Sequence, residues 1–554
     1  MTALRIAGGI VHDPANGVDG VVRDVCIADG RIVADAPAGT ATLDARGMVV
    51  MPGGVDMHSH VASGTVNLAR RLLPEEHDRD PAPAPSLVDG EPPRSGTGGT
   101  VPSTFTTGYR YAGLGYTTVF DAAVAPLTAR SSHAEFDDTP IVDGGFFVLM
   151  GNDEYLLRQI DAGERERARE YAAWLLGAAG GYAIKIVNPG GIERWKQGAR
   201  DRTDLDTPIG ATRVTPRAIL ETLVDAGNAL GLPHAAHIHC NNLGVPGNVA
   251  TTLDSMRAVA GRRAHFTHLQ FHSYAARQEK GGGWQSGARD VVEYVNAHPE
   301  ISGDVGQVMF GAATTLTADG PVEYMLQKSS GRKWVNVDLE LETGCGIVPH
   351  TYREKAAVSA LQWVVGLELF LLSDDPWRMV LSTDHPNGGS FLSYPELIRL
   401  LMDRTYRDDQ LKRVNQKWLA GSALADRIGR EYTLNEVAIV TRAGPARLLG
   451  LRDKGHLGVG ADADVTVYAP DADRSRMFAT PRYVVKAGTL VVEEGQLRRA
   501  PGGRRLHVKP GYDAAITRDL KRFFDEHATI AFDNYPVGTL RDAAMAIDSG
   551  RERR

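Results

Sequence analysis

The segment Met51-Pro-Gly-Gly-Val-Asp-Met-His-Ser-His60 constrains the fold of this chain more than any other stretch. It follows a β-rich opening, and its Pro-Gly-Gly marks a break between two structural units. Residues i and i+2 of a strand point to the same face, so His58 and His60 can grip one metal ion from one side. Neighbouring histidines also occur by chance. From this segment alone, the two could also be an ordinary pair on the surface or in the core.

A lysine, Lys185, lies inside the apolar run Tyr182–Gly190, which reads as a short buried strand ending in a turn. A charged amine in such a place is costly unless it is neutralised or paired. One resolution is carbamylation, in which the neutral amine takes up carbon dioxide and the resulting carboxylate bridges two metal ions. The alternative is a snorkelling or salt-bridged lysine.

Three histidines occupy the next strand-like run, His234-Ala-Ala-His-Ile-His-Cys-Asn-Asn242. His237 and His239 share a strand face, so periodicity does not choose between them. In an eight-stranded α/β barrel the site lies beyond the carboxyl ends of the strands, which favours His239 as a ligand. His234 and His237 are then interpreted as hydrogen-bonded core residues or as residues that support the metal ligands from behind.

Two later runs complete the set of candidate ligands. In Arg263-Ala-His-Phe-Thr-His-Leu-Gln-Phe-His272, His265 and His268 face opposite ways on a strand, and His268 is preferred because it stands at the polar end. The apolar strand that begins at Met379 stops at Asp384, before a Pro-Asn-Gly-Gly turn. A carboxylate there is either a turn former or a metal-bound base, and the candidate ligands at the earlier strand ends favour the base.

The order His-x-His, Lys, His, His, Asp at the ends of successive strands resembles the amidohydrolase superfamily in its two-metal form. This resemblance implies an α/β fold: a (β/α)8 TIM-type barrel with a composite β-sandwich domain formed by both ends of the chain. The implied division places the composite domain at 1–52 and 451–504 and the barrel at 53–450. A long Pro- and Gly-rich connection, 66–107, follows the first barrel strand, and 505–554 form a C-terminal arm that packs on the barrel or on a partner.

The resemblance also implies roles for the ligands. His58 and His60 hold the first metal ion, His239 and His268 the second, and Lys185 bridges them as N6-carboxylysine. Asp384 binds the first ion and acts as the catalytic proton shuttle. Imidazole and carboxylate ligands suit zinc as the two divalent ions, although iron, manganese and cobalt accept the same ligand types.

A narrower resemblance connects the chain to the A subunits of archaeal formylmethanofuran dehydrogenase and of the bacterial formyltransferase/hydrolase complex. It rests on the strings Lys185–Gly191, His239–Gly244, His265–Tyr274 and Gly306–Gly311. It implies hydrolysis of the N-formyl group of an aminomethyl-furan one-carbon carrier (formylmethanofuran or formylmethylofuran) to formate by a two-metal hydroxide mechanism. The partners implied are a formyltransferase and other subunits of a hetero-oligomeric complex.

Three other functions remain open at this point. They are condensation of formate with the carrier by an archaeal-type enzyme, a stand-alone cyclic amidase or N-acyl-amino-acid deacylase, and a non-catalytic scaffold subunit. Five residues beside the ligands are candidates for substrate contacts, and each is equally well explained as a turn or core residue. They are Asn188, Asn242, His272, His385 and Asn387.

Composition narrows the class of protein. The 554 residues include 61 Lys and Arg against 68 Asp and Glu, a net charge of −7 that argues against a nucleic-acid partner. The three scattered cysteines indicate a reducing compartment, and no stretch has the length of a membrane span or the pattern of a signal peptide. We therefore expect a cytoplasmic enzyme with no membrane partner.

Overall fold

The computed structural model describes residues 3–77, 98–199, 202–276, 284–337, 345–419, 422–426, 428–540 and 545–547. Residues 78–97 of the predicted 66–107 connection lie outside this part of the chain, as do 541–544 and 548–554 of the predicted arm. Within the described ranges, every helix is too short or too polar to cross a membrane.

Eight parallel strands of the described chain form the predicted barrel. They are β1 Gly54–Ser59, β2 Tyr116–Val124, β3 Asp143–Leu149, β4 Ala183–Val187, β5 Ala236–His239, β6 Ala264–Phe266, β7 Ile301–Asp304 and β8 Met379–Val380. The strands pair in chain order, and a parallel bridge between Ser59 and His385 joins the last to the first. The predicted fold class is confirmed.

From the sequence alone the seventh strand is poorly defined, and the strand-like runs place it near Asp304–Phe310 or Trp334–Leu339. Both placements are wrong, because β7 ends at Asp304 and Val335–Val337 belongs to a separate sheet. Two residues after the end of β7, Gly306 has φ 63°, a left-handed conformation that glycine adopts without strain and that interrupts the extended chain.

Helices cover the outside of the barrel. Those from the barrel region are Gly64–Leu72, Thr104–Gly113, Ala129–Asp138, Glu154–Ala162, Arg165–Ala179, Gly191–Lys196, Pro216–Ala229, Val249–Ala258, Ala288–Ala297, Gly320–Ser330, Ala357–Leu372, Tyr394–Met402, Arg404–Arg413, Gln416–Leu419, Leu434–Ala438 and Gly444–Leu449, and two more follow, Arg474–Ala479 and Ile516–His527. Ala357–Leu372 is apolar on all sides and nearly all buried, which is typical of a helix enclosed by its neighbours.

Both ends of the chain build a second sheet, of nine strands within the described residues. Its strands are Ala3–Asp13, Val18–Ala28, Arg31–Val33, Ala41–Asp44, Val49–Pro52, Val465–Tyr468, Tyr483–Lys486, Thr489–Glu493 and Gln496–Leu497. Val49–Pro52 pairs antiparallel with Val465–Tyr468, so the two halves meet at the entrance to the barrel. This is the composite β domain that the sequence predicts.

The Pro-Gly-Gly junction is required by close packing. A Cβ atom on Gly53 would lie 2.3 Å from Thr117 Oγ1, and one on Gly54 would lie 2.6 Å from the ring of Tyr116. These contacts fit only glycine, and they let β1 pass directly from the composite sheet into the barrel. The path of β1 in turn sets the position of His58.

A small cap covers the carboxyl end of the barrel. It consists of the antiparallel strands Gly311–Thr317, Val335–Val337 and Cys345–Tyr352 together with the helix Gly320–Ser330. Further strand pairs are Tyr274–Ala276 with Trp284–Ser286 and Leu506–Val508 with Met545–Ile547. The cap closes over the end of the barrel at which the predicted ligands stand.

The described part of the predicted C-terminal arm packs on barrel helices. The ring of Trp174 stacks on Phe532 and Tyr535 with centroids 5.6 and 5.9 Å apart, and Phe523 contacts Tyr155 at 5.1 Å. This aromatic cluster ties the end of the chain to the outer layer of the barrel.

Candidate metal centre

The six predicted ligands lie together at the carboxyl end of the barrel. They are His58 on β1, His60 just after it, Lys185 on β4, His239 at the end of β5, His268 two residues after β6 and Asp384 four residues after β8. All six are buried, yet all six line one cavity of about 890 Å³. The chain therefore brings the complete predicted set into one place.

A first cluster combines two imidazoles with one carboxylate. The Nε2 atoms of His58 and His60 lie 3.0 and 3.1 Å from Asp384 Oδ1. The Asn387 side-chain amide donates a hydrogen bond of 2.8 Å to the same oxygen. Two nitrogens and an oxygen thus converge on one point, as a divalent cation requires.

The electrostatics of this cluster keep the carboxylate ionised. Burial alone would raise the pKa of Asp384, but the charge of His58 and the hydrogen bonds with His58 and His60 outweigh it and hold that pKa well below its usual range. Burial alone would lower the pKa of His60, and hydrogen bonds with Asp121 and Asp384 raise it instead to about 9. An ionised, buried Asp384 is the form that binds metal or accepts a proton.

A second cluster consists of imidazoles from β5 and the turn after β6. His239 Nδ1 and His268 Nε2 lie 3.1 Å apart, and their rings are nearly perpendicular at 87°. Burial lowers the pKa of His268 well below its usual value, which leaves a neutral imidazole with a free lone pair. Two imidazole nitrogens that face each other in this way suit a second cation.

Lys185 is 1% exposed and its Nζ has no hydrogen-bond or salt-bridge partner within the described residues. Burial lowers the pKa of this amine to about 8, although Asp384, Asp304 and Asp121 oppose the shift. Lys185 therefore neither snorkels to the surface nor forms a salt bridge with the described residues. A partly neutral amine without a hydrogen bond, in the same cavity as both clusters, fits carbamylation and two bound cations.

Of the five predicted substrate residues, only Asn387 lines the cavity. Asn188 donates to the Ala318 carbonyl at 3.1 Å, and both ends of the Asn242 side chain bond to the backbone of Thr203. His385 contributes its carbonyl, which accepts from the backbone N–H of His60 at 2.7 Å. His272 is fully buried behind the ligands.

Three buried carboxylates that the sequence patterns did not identify contact the ligands. Asp304 Oδ2 lies 3.2 Å from His58 Nδ1, and Asp319 Oδ2 lies 2.9 Å from His239 Nε2. Asp121 accepts hydrogen bonds from two backbone N–H groups just after His60. In the sequence, the strand-like run Tyr116–Asp121 ends at Asp121, so this residue could have been found on that ground. Asp304 was missed because the sequence places it at the start of a candidate seventh strand, whereas it ends β7 in the structure.

The backbone is strained at the same place. Four of the eight non-glycine residues with positive φ in the described chain are predicted site residues: Asn188, Asn242, His268 and Asp384, with φ of 43°, 64°, 34° and 50°. Such conformations cost on the order of 1–3 kcal/mol each and persist where the surroundings impose them, often at functional sites.

Comparison with known proteins identifies the family of this chain. A model described as the amidohydrolase family matches residues 41–492. Protein FwdA of Methanocaldococcus jannaschii is 42% identical over 554 residues, with 96% of each chain covered. The A subunit of formyltransferase/hydrolase complex Fhc of Methylorubrum extorquens is 39% identical, with 99% of this chain and 98% of the relative covered.

A solved structure extends the comparison to three dimensions. The crystal structure of the formyltransferase/hydrolase complex FhcABCD from Methylorubrum extorquens in complex with methylofuran contains a chain that matches with a TM-score of 0.92. The two chains are 37% identical, and 99% of each is covered. The family model, for its part, spans well over half of the sequence, and the chain belongs to the amidohydrolase family.

Proposed function

We propose that this chain hydrolyses the N-formyl group of a formylated aminomethyl-furan one-carbon carrier, as the A subunit of a cytoplasmic formyltransferase/hydrolase complex. The observation that carries the proposal is the match over 99% of the chain to a subunit of a complex solved with methylofuran. The six ligand-type residues in one cavity support it, because they retain a full amidohydrolase donor set. A scaffold without chemistry would have no need of that set.

Two divalent cations, for which zinc suits the donors best, would acidify a water molecule and polarise the formyl carbonyl. His58, His60 and Asp384 would hold one, His239 and His268 the other, and carboxylated Lys185 would contact both. The donor types and the unpartnered Lys185 amine fit this assignment. Family membership and these clusters together support a metal-dependent hydrolase.

Asp384 is the residue that moves the proton. It is ionised, 3% exposed and oriented by Asn387, so it can take the proton that the attacking water loses. The new C–O bond forms as the water attacks the formyl carbon, and when the C–N bond then breaks, Asp384 returns this proton to the departing amine. The transfer is necessary because an amine leaves poorly as an anion.

The shape of the cavity favours a large substrate. At about 890 Å³ it is near the upper end of ligand pockets, which run from roughly 300 to 1,000 Å³. Its walls include Leu149, Val187, Leu243, Phe271 and Trp284, which offer apolar surface to a furan ring. A hydantoin or a small acyl amino acid would leave most of this volume unused.

Condensation of formate with the carrier is the second candidate, favoured by the 42% identity to Protein FwdA of Methanocaldococcus jannaschii. The same residues would serve the reverse reaction, so the partner subunits and metabolite levels set the direction. Identification of co-purifying subunits would separate the two directions. A formyltransferase without an accompanying oxidoreductase subunit would select the hydrolytic complex.

The test is formate release from the formyl-carrier by the isolated chain and by the whole complex. N-formylglycine and hydantoin serve as small-substrate controls, and Asp384→Asn serves as the inactive protein. We expect formate from the furan carrier and little turnover of either control. Good turnover of hydantoin with none of the carrier would replace this proposal by the cyclic amidase.

A further inference from the structure

One histidine near the centre has no role in the proposed hydrolysis. His272 ends the short helical turn Leu269–His272 and is 0% exposed. Neither of its ring nitrogens has a hydrogen-bond partner among the described residues. Buried polar atoms are paired in nearly all native structures, and each exception asks for an explanation such as a bound ion.

Other buried histidines of the barrel interior do not share this feature. His237 bonds to His58 and to His234 at 3.0 Å each, and His265 contacts Ser302 and Asp304 at 2.9 and 3.2 Å. The lack of partners thus singles out His272. Several other buried histidines have one ring nitrogen without a hydrogen-bond partner, but within the described residues only His272 lacks a partner at both.

The backbone holds His272 in place while its ring stays free. Its carbonyl accepts a hydrogen bond of 2.8 Å from Thr252 Oγ1, and Phe271 N–H donates to the His268 carbonyl at 2.9 Å. His239 and His268 line the cavity, whereas His272 lies behind them. A substrate in the cavity would therefore meet His239 and His268 and not His272.

Three rings surround one point. The ring centroids of His239, His268 and His272 are 4.5, 5.0 and 5.1 Å apart. An imidazole bound at about 2.1 Å has its centroid about 3.2 Å from the ion, so tetrahedral ligands have centroids about 5.2 Å apart. One nitrogen of each ring also lies within 4.8 Å of the other two. The triangle has the size of a three-histidine metal site.

We propose that the second metal site is a three-histidine site, in which His272 binds the cation beside His239 and His268. The inference rests on the proposed metal centre and adds a ligand to it. Three imidazole nitrogens make up a full set of protein ligands for a cation, so this site can fill before Lys185 is carboxylated.

The test counts histidine ligands with cobalt(II) alone as the probe. Metal-free protein, kept free of carbon dioxide, receives one equivalent of Co2+, and proton NMR records the hyperfine-shifted, solvent-exchangeable ring N–H signals. A site that includes His272 gives three such signals. A two-histidine site gives two, whichever of the two clusters it occupies, and two signals in the wild-type protein would overturn the proposal.

Variants provide an independent measurement. His272→Gln and His272→Phe should weaken Co2+ binding by more than the roughly 100-fold that loss of an outer-sphere partner costs, and should reduce three signals to two. His133→Gln, which removes a buried imidazole remote from the centre, should leave both readouts unchanged. Unaltered affinity in a folded His272 variant, verified by circular dichroism, would refute the assignment. Substrate turnover plays no part, so failure of the proposed function would leave these readouts interpretable.

Discussion

The state of Lys185 predicts how the enzyme is activated. Only a neutral amine attacks carbon dioxide, and burial lowers the pKa of Lys185 to about 8. The amine loses its proton as pH rises, so its neutral fraction is about 9% at pH 7, about 50% at pH 8 and about 91% at pH 9. Reactivation of stripped protein by metal and carbon dioxide should therefore accelerate up to pH 8 and then level off.

An ordinary lysine behaves differently over the same range. With a pKa of about 10.4, its neutral fraction is about 0.4% at pH 8 and still rises about tenfold to pH 9. The buried Lys185 should show a rise of less than about twofold over that last unit, because most of the amine is already neutral. The interval from pH 8 to pH 9 thus separates the two cases.

The assay strips the protein of metal and carbon dioxide and then restores zinc and a fixed concentration of dissolved carbon dioxide at each pH. The rate at which activity returns is read at one common assay pH. With 13C-labelled carbon dioxide, a carbamate signal should appear in the wild-type protein and be absent from Lys185→Gln. Reactivation that needs no carbon dioxide, or that climbs tenfold between pH 8 and pH 9, would refute the reasoning.

Two further predictions concern catalysis and stability. Asp384→Asn should lower turnover by about 10²–10⁴-fold with a smaller change in substrate affinity, because it removes the proton carrier; near-normal turnover with both metals bound would assign the proton to another residue. Lys454 lies 2.6–3.1 Å from three buried carboxylates, those of Asp143, Asp462 and Asp464. Lys454→Met should lower the free energy of unfolding by roughly 3–5 kcal/mol. Lys412→Met, which breaks an exposed pair with Asp409, should change it by less than about 1 kcal/mol, and equal effects in denaturant titrations would contradict this account.

The sequence alone sufficed for the features that depend on strand geometry. His58 and His60 both reach Asp384, as the i, i+2 spacing predicts, although β1 ends at Ser59, and the Pro-Gly-Gly before them marked the entry to the barrel. His239 and Asp384 followed from the position of the site at the carboxyl ends of barrel strands. The composite sheet followed from the resemblance of both chain ends to the superfamily.

The rest depended on contacts that no local pattern encodes. Strand alternation admits only one of His265 and His268, and the polar end of the run favours His268, yet His268 stands beyond β6 with φ 34°, where alternation no longer applies. Asp304 ends a strand of only four residues, too short to give a clear period. Asp319 reaches His239 from the cap, and only the folded chain brings those two residues together.

The most direct test of the metal centre is anomalous diffraction from crystals of the protein at the absorption edge of its metal. The account predicts two peaks per chain, one about 2.1 Å from nitrogens of His58 and His60, the other at the same distance from those of His239 and His268. Density beyond Lys185 Nζ should lie between the two peaks. A single peak with an unmodified Lys185, or metal bound only elsewhere, would contradict the account.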